Sequence, residues 1–367
     1  MNSLNRLAEN IISCLQDYIK GRGFRALVHF ELEGCYQKAT GQPVDYQRVN
    51  EKLLAFGIDG EVVAEYWSNQ WEYVSLFNGQ SPLKEAHNLA RAIYFLPQWF
   101  ANQGVTKTLI KPVVWAGDNG KLAAGCANIF SGDSRDVHIP NAVQINVSVQ
   151  DLLGNNLLVS GDFAERLQRS LLQTSLASCL IYLPEEEAFE RLALKSKYGL
   201  AEELCSPIDI SGGHQGSVAL YRDIGKHNQK MGVEPLIYDD KNNVLVSHEN
   251  WHKTARIEHR LGASSEQYNP FLNVIYTLLN VIETIDSVNN HESVQSDDYG
   301  QLPSSLHDQD NELGAITLFK NNDWFHQSID RVIAASSFPL KPITALSIGR
   351  QIQQDYLKQF QRPDIFI

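Results

Sequence analysis

An α+β fold, with a mainly antiparallel sheet covered by helices on one side, is what this sequence predicts. Three observations lead there. Several segments alternate apolar and polar residues with the strand period of two, and segments with helical periodicity separate them. The strand-like segments also share a chemistry on their polar side, where glutamate, glutamine and arginine recur. The cleanest is "NAVQINVSVQ", with Val143, Ile145, Val147 and Val149 on one face and Gln144, Asn146 and Ser148 on the other. Such alternation suits a sheet with only one face against the core.

Taken in order, Leu4, Leu7, Ile11, Leu15 and Tyr18 recur at helical spacing, which predicts a helix over 3–20 ending at Gly21. "RALVHFELEGC" reads as a strand, and "IDGEVVAEYWSNQWEYVSLFNG" as two short strands or one with a kinked middle. "SPLKEAHNLARAIYFLPQWFANQG" offers Ser81 as N-cap, Pro82 at the first helical position and Gly104 as the stop, with Pro97 expected to kink or shorten the helix. A long helix follows over about 162–183, then a second after Pro184. "DISGGHQGS" is a glycine-rich turn, read as a plain turn ahead of a phosphate-binding nest. "NPFLNVIYTLLNVIETI" is apolar nearly all round and so a buried helix. The polar segment 291–312 reads as a loop, and helices return after it.

The 367 residues allow one large domain or two ordinary ones. A net charge of −12 with no run of Lys or Arg argues against nucleic acid or an anionic membrane as partner. Cys14, Cys35, Cys126, Cys179 and Cys205 show no C-x-x-C spacing, so reduced thiols of a cytoplasmic protein are expected. The N-terminus lacks the apolar run of a signal peptide. "FLNVIYTLLNVIETI", interrupted by Asn273, Thr277 and Asn280, reads as too short to cross a bilayer.

Glu31 and Glu33 share a face of their strand, Gln70 and Glu72 share another, and Glu65 precedes them. Arg256, Glu258 and Arg260 repeat the spacing in "TARIEHRLG". Taken singly, an E-x-E strand is more often a solvated face, and R-x-E-x-R a cross-strand ion-pair ladder. Taken jointly, five glutamates on one open face require compensating cations, because like charges at short range raise one another's pKa. Glu and Gln oxygens suit Mg²⁺ or Mn²⁺ rather than zinc, and two such ions with two arginines are the equipment of phosphoryl transfer from ATP. Trp67, Trp71 and Trp99 are read as core or interface residues ahead of an adenine pocket. His29 is expected on the Glu31 face, and Cys35 carries no chemistry.

These motifs resemble the glutamine synthetase and glutamate–cysteine ligase superfamily of ATP-dependent carboxylate–amine ligases. "RIEHRLGASSEQYNPFL" looks like that family's R-I-E-x-R strand and N-P-[YF]-L helix start, "HFELEG" its first active-site strand, and "EYWSNQWE" its E…G-Q-x-E segment. "VQINVSV" occupies the place of the synthetases' H-x-H-x-S strand, in a form closer to the glutamate–cysteine ligases. "LPSSLHDQDNELGAITLFKNNDWF" resembles the late L-P-x-x-L segment.

The resemblance implies a single catalytic domain over 1–367, with a curved sheet, the active site on its concave face and helices behind. In a departure from the family, only about thirty residues precede Glu31, so no separate N-terminal β-grasp domain is expected. It implies one metal held by Glu33, Glu65 and Glu72, and a second by Glu31, Gln144 and Glu258. Arg256 would lie against the nucleotide phosphates with Asn146 and Ser148 beside the nucleotide, and Arg260 against the substrate carboxylate or acyl phosphate. The implied reactants are ATP with two or more Mg²⁺ or Mn²⁺ ions, a small carboxylate such as an amino acid, and an amine or ammonia. γ-Glutamyl transfer to an amine is the first expectation, in a homo-oligomer. A phosphotransferase on the same fold and a non-catalytic nucleotide-binding relative are the alternatives.

Overall fold

The computed structural model describes residues 3–38, 43–65, 69–115, 138–197, 217–223, 225, 231, 237–238, 244–245, 251–289, 300–336, 342 and 345–361. Its strands are β1 (Phe24–Lys38), β2 (Gly60–Ala64), β3 (Gln70–Ser75), β4 (Val105–Leu109), β5 (Val113–Trp115), β6 (His138–Pro140), β7 (Val143–Asp151), β8 (Val218–Tyr221), β9 (Ile237–Tyr238), β10 (Val244–Leu245) and β11 (Arg256–His259). Its α-helices are α1 (Ser3–Gly21), α2 (Tyr46–Ala55), α3 (Pro82–Ala101), α4 (Phe163–Tyr182), α5 (Glu186–Lys197), α6 (Pro270–Asn289), α7 (Ala315–Lys320), α8 (Asp323–Ala335) and α9 (Ile348–Leu357).

Seven strands form one sheet in the order β2-β3-β1-β7-β11-β8, with β4 also paired to β1, and every pairing in it is antiparallel. β5 with β6, and β9 with β10, make two small hairpin-like pairs. The long strand β1 organises the sheet. Its odd-numbered residues from His29 to Cys35 lie on one face, while Val28, Phe30 and Leu32 are buried on the other. Val143, Ile145, Val147 and Val149 of β7, Ile257 of β11 and Trp71 of β3 continue that buried face. Helices α1, α3, α4 and α6 cover it. This is the α+β arrangement that the alternation predicts, with the polar row on the face opposite the helices.

α6 runs through the middle of the helical layer. It has 20 residues, longer than the reading allowed, and among the described residues it is the one helix long and apolar enough to cross a membrane. Here it is a core helix, and its polar residues are answered from within. Asn273 Nδ2 donates to Ile181 O (3.0 Å), Thr277 Oγ1 donates to Asn273 O (2.9 Å), and Asn280 Oδ1 accepts from Ser170 Oγ (2.8 Å) and Thr174 Oγ1 (2.9 Å). Buried amides so paired tie two helices together without leaving a desolvated donor.

Two expectations shift. Pro97 does not shorten α3, which continues four residues beyond it to Ala101. α2 has no counterpart in the sequence reading, although its signals are there. Asp45 caps it by accepting from Arg48 N (3.3 Å), and Gly57, at a φ of +65°, follows its end. Trp71 and Trp99 are buried, Trp71 edge-on to Phe100 and Trp99 stacked on Phe95. Residues 300–312 carry no helix or strand, as the loop reading expects. Trp67, Cys126, Cys205, 291–299 and nearly all of "DISGGHQGS" lie outside the described residues. Cys14, Cys35 and Cys179 are free thiols.

Behind the sheet, α3 places Glu85 fully out of solvent, where it accepts from Asn88 Nδ2 (3.1 Å). Burial pushes its pKa up to about 7 from an ordinary 4.5, against the lowering effect of hydrogen bonds from Ser75 and Asn88. The folded chain therefore holds this proton over a pH range in which the unfolded chain has lost it. The corresponding stability is present below about pH 4.5 and disappears as pH rises to about 7, a change of roughly 3 kcal/mol. Glu85→Gln should remove that slope, so its stability advantage over wild type in urea unfolding should widen between pH 4.5 and 7. Parallel pH profiles for the two proteins would contradict this assignment.

A candidate active site on the polar face

Register decides which side chains meet. β1 sets Glu31 opposite Gln144 of β7 and Glu33 opposite Glu72 of β3. β7 sets Asn146 opposite His29 of β1 and Glu258 of β11. Directly opposed residues share a face of an antiparallel pair, so Glu31, Glu33, Glu72, Gln144, Asn146 and Glu258 stand on one surface. Ser148 continues it on β7 opposite Leu27. Arg256 lies opposite Tyr221 of β8, on the same side as Glu258. Glu65 falls one residue past β2, exposed, with its N–H donating to Gln70 O (3.1 Å).

At the centre of this face the side chains form a bonded chain. Asn146, 1% exposed, donates through Nδ2 to Glu31 Oε1 (3.1 Å) and accepts through Oδ1 from Arg256 Nε (2.8 Å). Gln144 directs its amide NH₂ at Glu258 Oε1 (2.5 Å) and Glu31 Oε2 (3.0 Å), the orientation its two carboxylate neighbours demand. Tyr221 donates its hydroxyl to Glu258 Oε2 (2.5 Å), and its ring carries the Arg256 guanidinium 4.9 Å from the centroid. Arg260 Nε lies 3.6 Å from Glu258 Oε2. Glu258 itself is 0% exposed, and charge-assisted bonds in a buried setting are the strong kind. Burial, together with the charge of Glu258, raises the Tyr221 pKa, which keeps the phenol a donor.

The backbone around the R-I-E-H-R strand is fixed from outside it. Arg260 N donates to Ser217 O (2.9 Å), and Val143 N to Gly262 O (3.1 Å). A Cβ at position 262 would come within 2.3 Å of Val143 O, so only glycine allows the close approach that sets Arg260 beside β7. His259 points the other way, into the helical layer, 3.1 Å from Ser175 Oγ, and burial lowers its pKa to about 3.

The second carboxylate set is arranged differently. Glu33 Oε2 accepts from Ala142 N (2.8 Å). Glu33 and Glu72 share a face, with Glu65 beyond the end of β2, but among the described residues no three His, Cys, Asp or Glu side chains come together as a metal cage. The Glu31–Gln144–Glu258 set is compact, with oxygens of both carboxylates within 3.0 Å of one amide atom, and hard oxygen donors of this kind fit Mg²⁺ or Mn²⁺. Beyond Glu33 the face ends in a small apolar cluster of Cys35, Leu109, Val114 and Ile139, where burial pushes the Cys35 thiol up to about 12, an inert group.

His29 lies on the Glu31 face, as its parity predicts. Its ring packs 4.1 Å from that of Phe77, and burial followed by the Arg256 charge lowers its pKa to about 4, against Glu31, which raises it. Tyr221 is the residue that sequence reasoning missed. It sits in a four-residue strand with no motif around it, and only pairing with β11 gives it a role.

No protein-family model matches this chain, and none of the curated proteins does. Solved structures do. Apo GmaS superposes with a TM-score of 0.58 at 13% identity, covering 97% of this chain and 75% of that one. A GmaS/ADP complex gives 0.56 at 11% identity, with the same coverage. The cryo-EM structure of Plasmodium falciparum glutamine synthetase gives 0.58 at 11% identity, over 96% of this chain and 75% of that one. The fold is glutamine synthetase-like, of mixed helices and antiparallel sheet, as the E-x-E and R-I-E-x-R strands lead one to expect.

Tyr221→Phe removes the one hydroxyl that answers Glu258 Oε2. Loss of a bond to a buried charged acceptor should lower stability by about 1.5–3 kcal/mol in denaturant unfolding at neutral pH. An unchanged midpoint would mean that this bond does not hold Glu258.

Proposed function

We propose that this protein is an ATP-dependent ligase that joins a small carboxylate, such as an amino acid, to an amine or ammonia through an acyl phosphate. The observation that carries this reading is the meeting of Glu31, Gln144 and Glu258 beside Arg256 and Arg260 on the polar face of a glutamine synthetase-like fold. The solved GmaS/ADP complex, on the same fold, supports the nucleotide part of it.

In this mechanism a carboxylate oxygen of the acceptor attacks the γ-phosphorus of ATP, and ADP departs with the bridging oxygen. The amine nitrogen then attacks the acyl carbon, inorganic phosphate leaves, and the nitrogen loses its proton. Mg²⁺ or Mn²⁺, held at Glu31, Gln144 and Glu258, would supply charge neutralisation at the phosphates, whereas among the described residues Glu33, Glu65 and Glu72 are not gathered into a second such site. Arg256, fixed by Asn146 and Tyr221, offers positive charge to the phosphates, with Asn146 and Ser148 along the nucleotide. Arg260, anchored through its backbone to Ser217, meets the acceptor carboxylate or the acyl phosphate. Groups already in position need no reorganisation as charge develops, and that is where such a site gains rate. A cytoplasmic homo-oligomer with γ-glutamyl transfer as its reaction is the specific form of the proposal.

ADP release from ATP with Mg²⁺ or Mn²⁺, measured over a panel of amino acids and amines, is the test. Release should require one acid and one amine together, and Glu258→Ala should lower it by about 100-fold or more. Release with an acid alone would make the protein a phosphotransferase. No release with any pair would leave a non-catalytic nucleotide-binding relative.

A further inference from the structure

Gln144 presents an unusual problem of charge. One of its amide atoms lies 2.5 Å from Glu258 Oε1 and 3.0 Å from Glu31 Oε2. A carbonyl oxygen at that point would face two carboxylate oxygens with nothing between them. An NH₂ group there gives each carboxylate a donor.

The partners of the two glutamates divide their oxygens. Asn146 Nδ2 donates to Glu31 Oε1, and the Tyr221 hydroxyl donates to Glu258 Oε2. Each carboxylate therefore has one oxygen held by a strand neighbour and the other turned to Gln144. Glutamine is suited to such a point because its two ends occupy nearly the same volume, one a double donor and the other an acceptor. Histidine could offer a single N–H, and glutamate none.

A separate observation concerns the same part of the face. His29, only 6% exposed, sits two residues from Glu31 and opposite Asn146, and its Nε2 makes no hydrogen bond. A buried ring nitrogen without a partner is costly unless something else supplies one.

We propose that Gln144 is an exchangeable stand-in for a divalent cation: its NH₂ bridges Glu31 and Glu258 when no cation is bound, and its amide turns over to present the carbonyl oxygen when one is. The exchange lets the sheet fold around one buried and one half-buried carboxylate without metal, and it sets cation affinity below that of a site with a permanent anionic ligand. The inference rests on the cation-dependent reading above and adds to it the role of this one side chain.

Gln144→Glu and Gln144→Leu test it without reference to turnover. Unfolding temperatures would be measured at pH 8 in EDTA and in saturating Mg²⁺, and Mn²⁺ binding followed by the electron paramagnetic resonance signal of the free ion. Both variants lose the bridge, so both should unfold a few degrees lower than wild type in EDTA. Gln144→Glu, which adds an anionic ligand, should bind Mn²⁺ roughly tenfold tighter than wild type, and its deficit should close in Mg²⁺. A side chain with only a packing role would weaken stability and binding together. The inference alone falls if wild type binds Mn²⁺ while both variants match it in EDTA, or if the Gln144→Glu deficit persists in Mg²⁺. Wild type that binds no Mn²⁺ overturns the cation reading on its own curve, and the exchange with it.

Discussion

The register of β7 between β1 and β11 is the constraint on which the polar face depends. Asn146 opposes His29 on one side and Glu258 on the other, and Gln144 opposes Glu31. A slip of one residue would turn Gln144, Asn146 and Ser148 into the helical layer and carry Val143, Ile145 and Val147 out to the glutamates. The apolar half of β7 forbids that, because its valines and Ile145 are buried. Core packing on one side of the strand thus fixes the chemistry on the other. Gly262 and the backbone bonds of Arg260 and Val143 secure the same register from the β11 end.

Two buried or half-buried carboxylates so near each other would repel unless answered. The answer is a network in which neutral donors stand beside the Arg260 guanidinium, 3.6 Å from Glu258 Oε2. Asn146, Gln144 and Tyr221 donate to Glu31 and Glu258, while Arg256 is held one step back, through Asn146 and across the Tyr221 ring. Arg256 is therefore positioned by a neutral amide and an aromatic ring. Glu85 behind the sheet is a different case: a single carboxyl that burial makes hold its proton, with no arginine among the groups that shift it.

Much of this was legible in the sequence, for physical reasons that can be named. The alternation in β7 and the E-x-E of β1 report directly which residues share a face, because period two is a property of the strand itself. The N-cap of α3 and the length of α4 followed from local rules as well, while α3 is capped at Asn102 rather than stopped at Gly104. What those rules do not contain is pairing. Nothing in "VALY" says that Tyr221 will stand across from Arg256, and nothing near Ala142 says that its N–H will serve Glu33. α2 has a cap in Asp45 but only Val49 and Leu53 buried along ten residues, too little apolar periodicity to mark a helix. Of the two effects expected of Pro97, a kink or a shortening, the shortening does not occur, because α3 runs on to Ala101. The convergence of Glu33, Glu65 and Glu72 stays an implication of family resemblance. Glu33 and Glu72 share a face, and shared parity is all that sequence spacing can supply.

Thermal unfolding of wild type and Glu258→Ala, each with and without ATP plus Mg²⁺, tests the central claim most directly, because it asks only whether nucleotide and cation bind where β1, β7 and β11 meet. Ligand at a hundred times its dissociation constant should stabilise wild type by about 2.7 kcal/mol, a shift of a few degrees for a chain of this size. The account predicts that shift in wild type and its loss in Glu258→Ala, whatever the variant's own starting stability. An equal shift in both proteins, or none in wild type with Mg²⁺ or Mn²⁺, would contradict it.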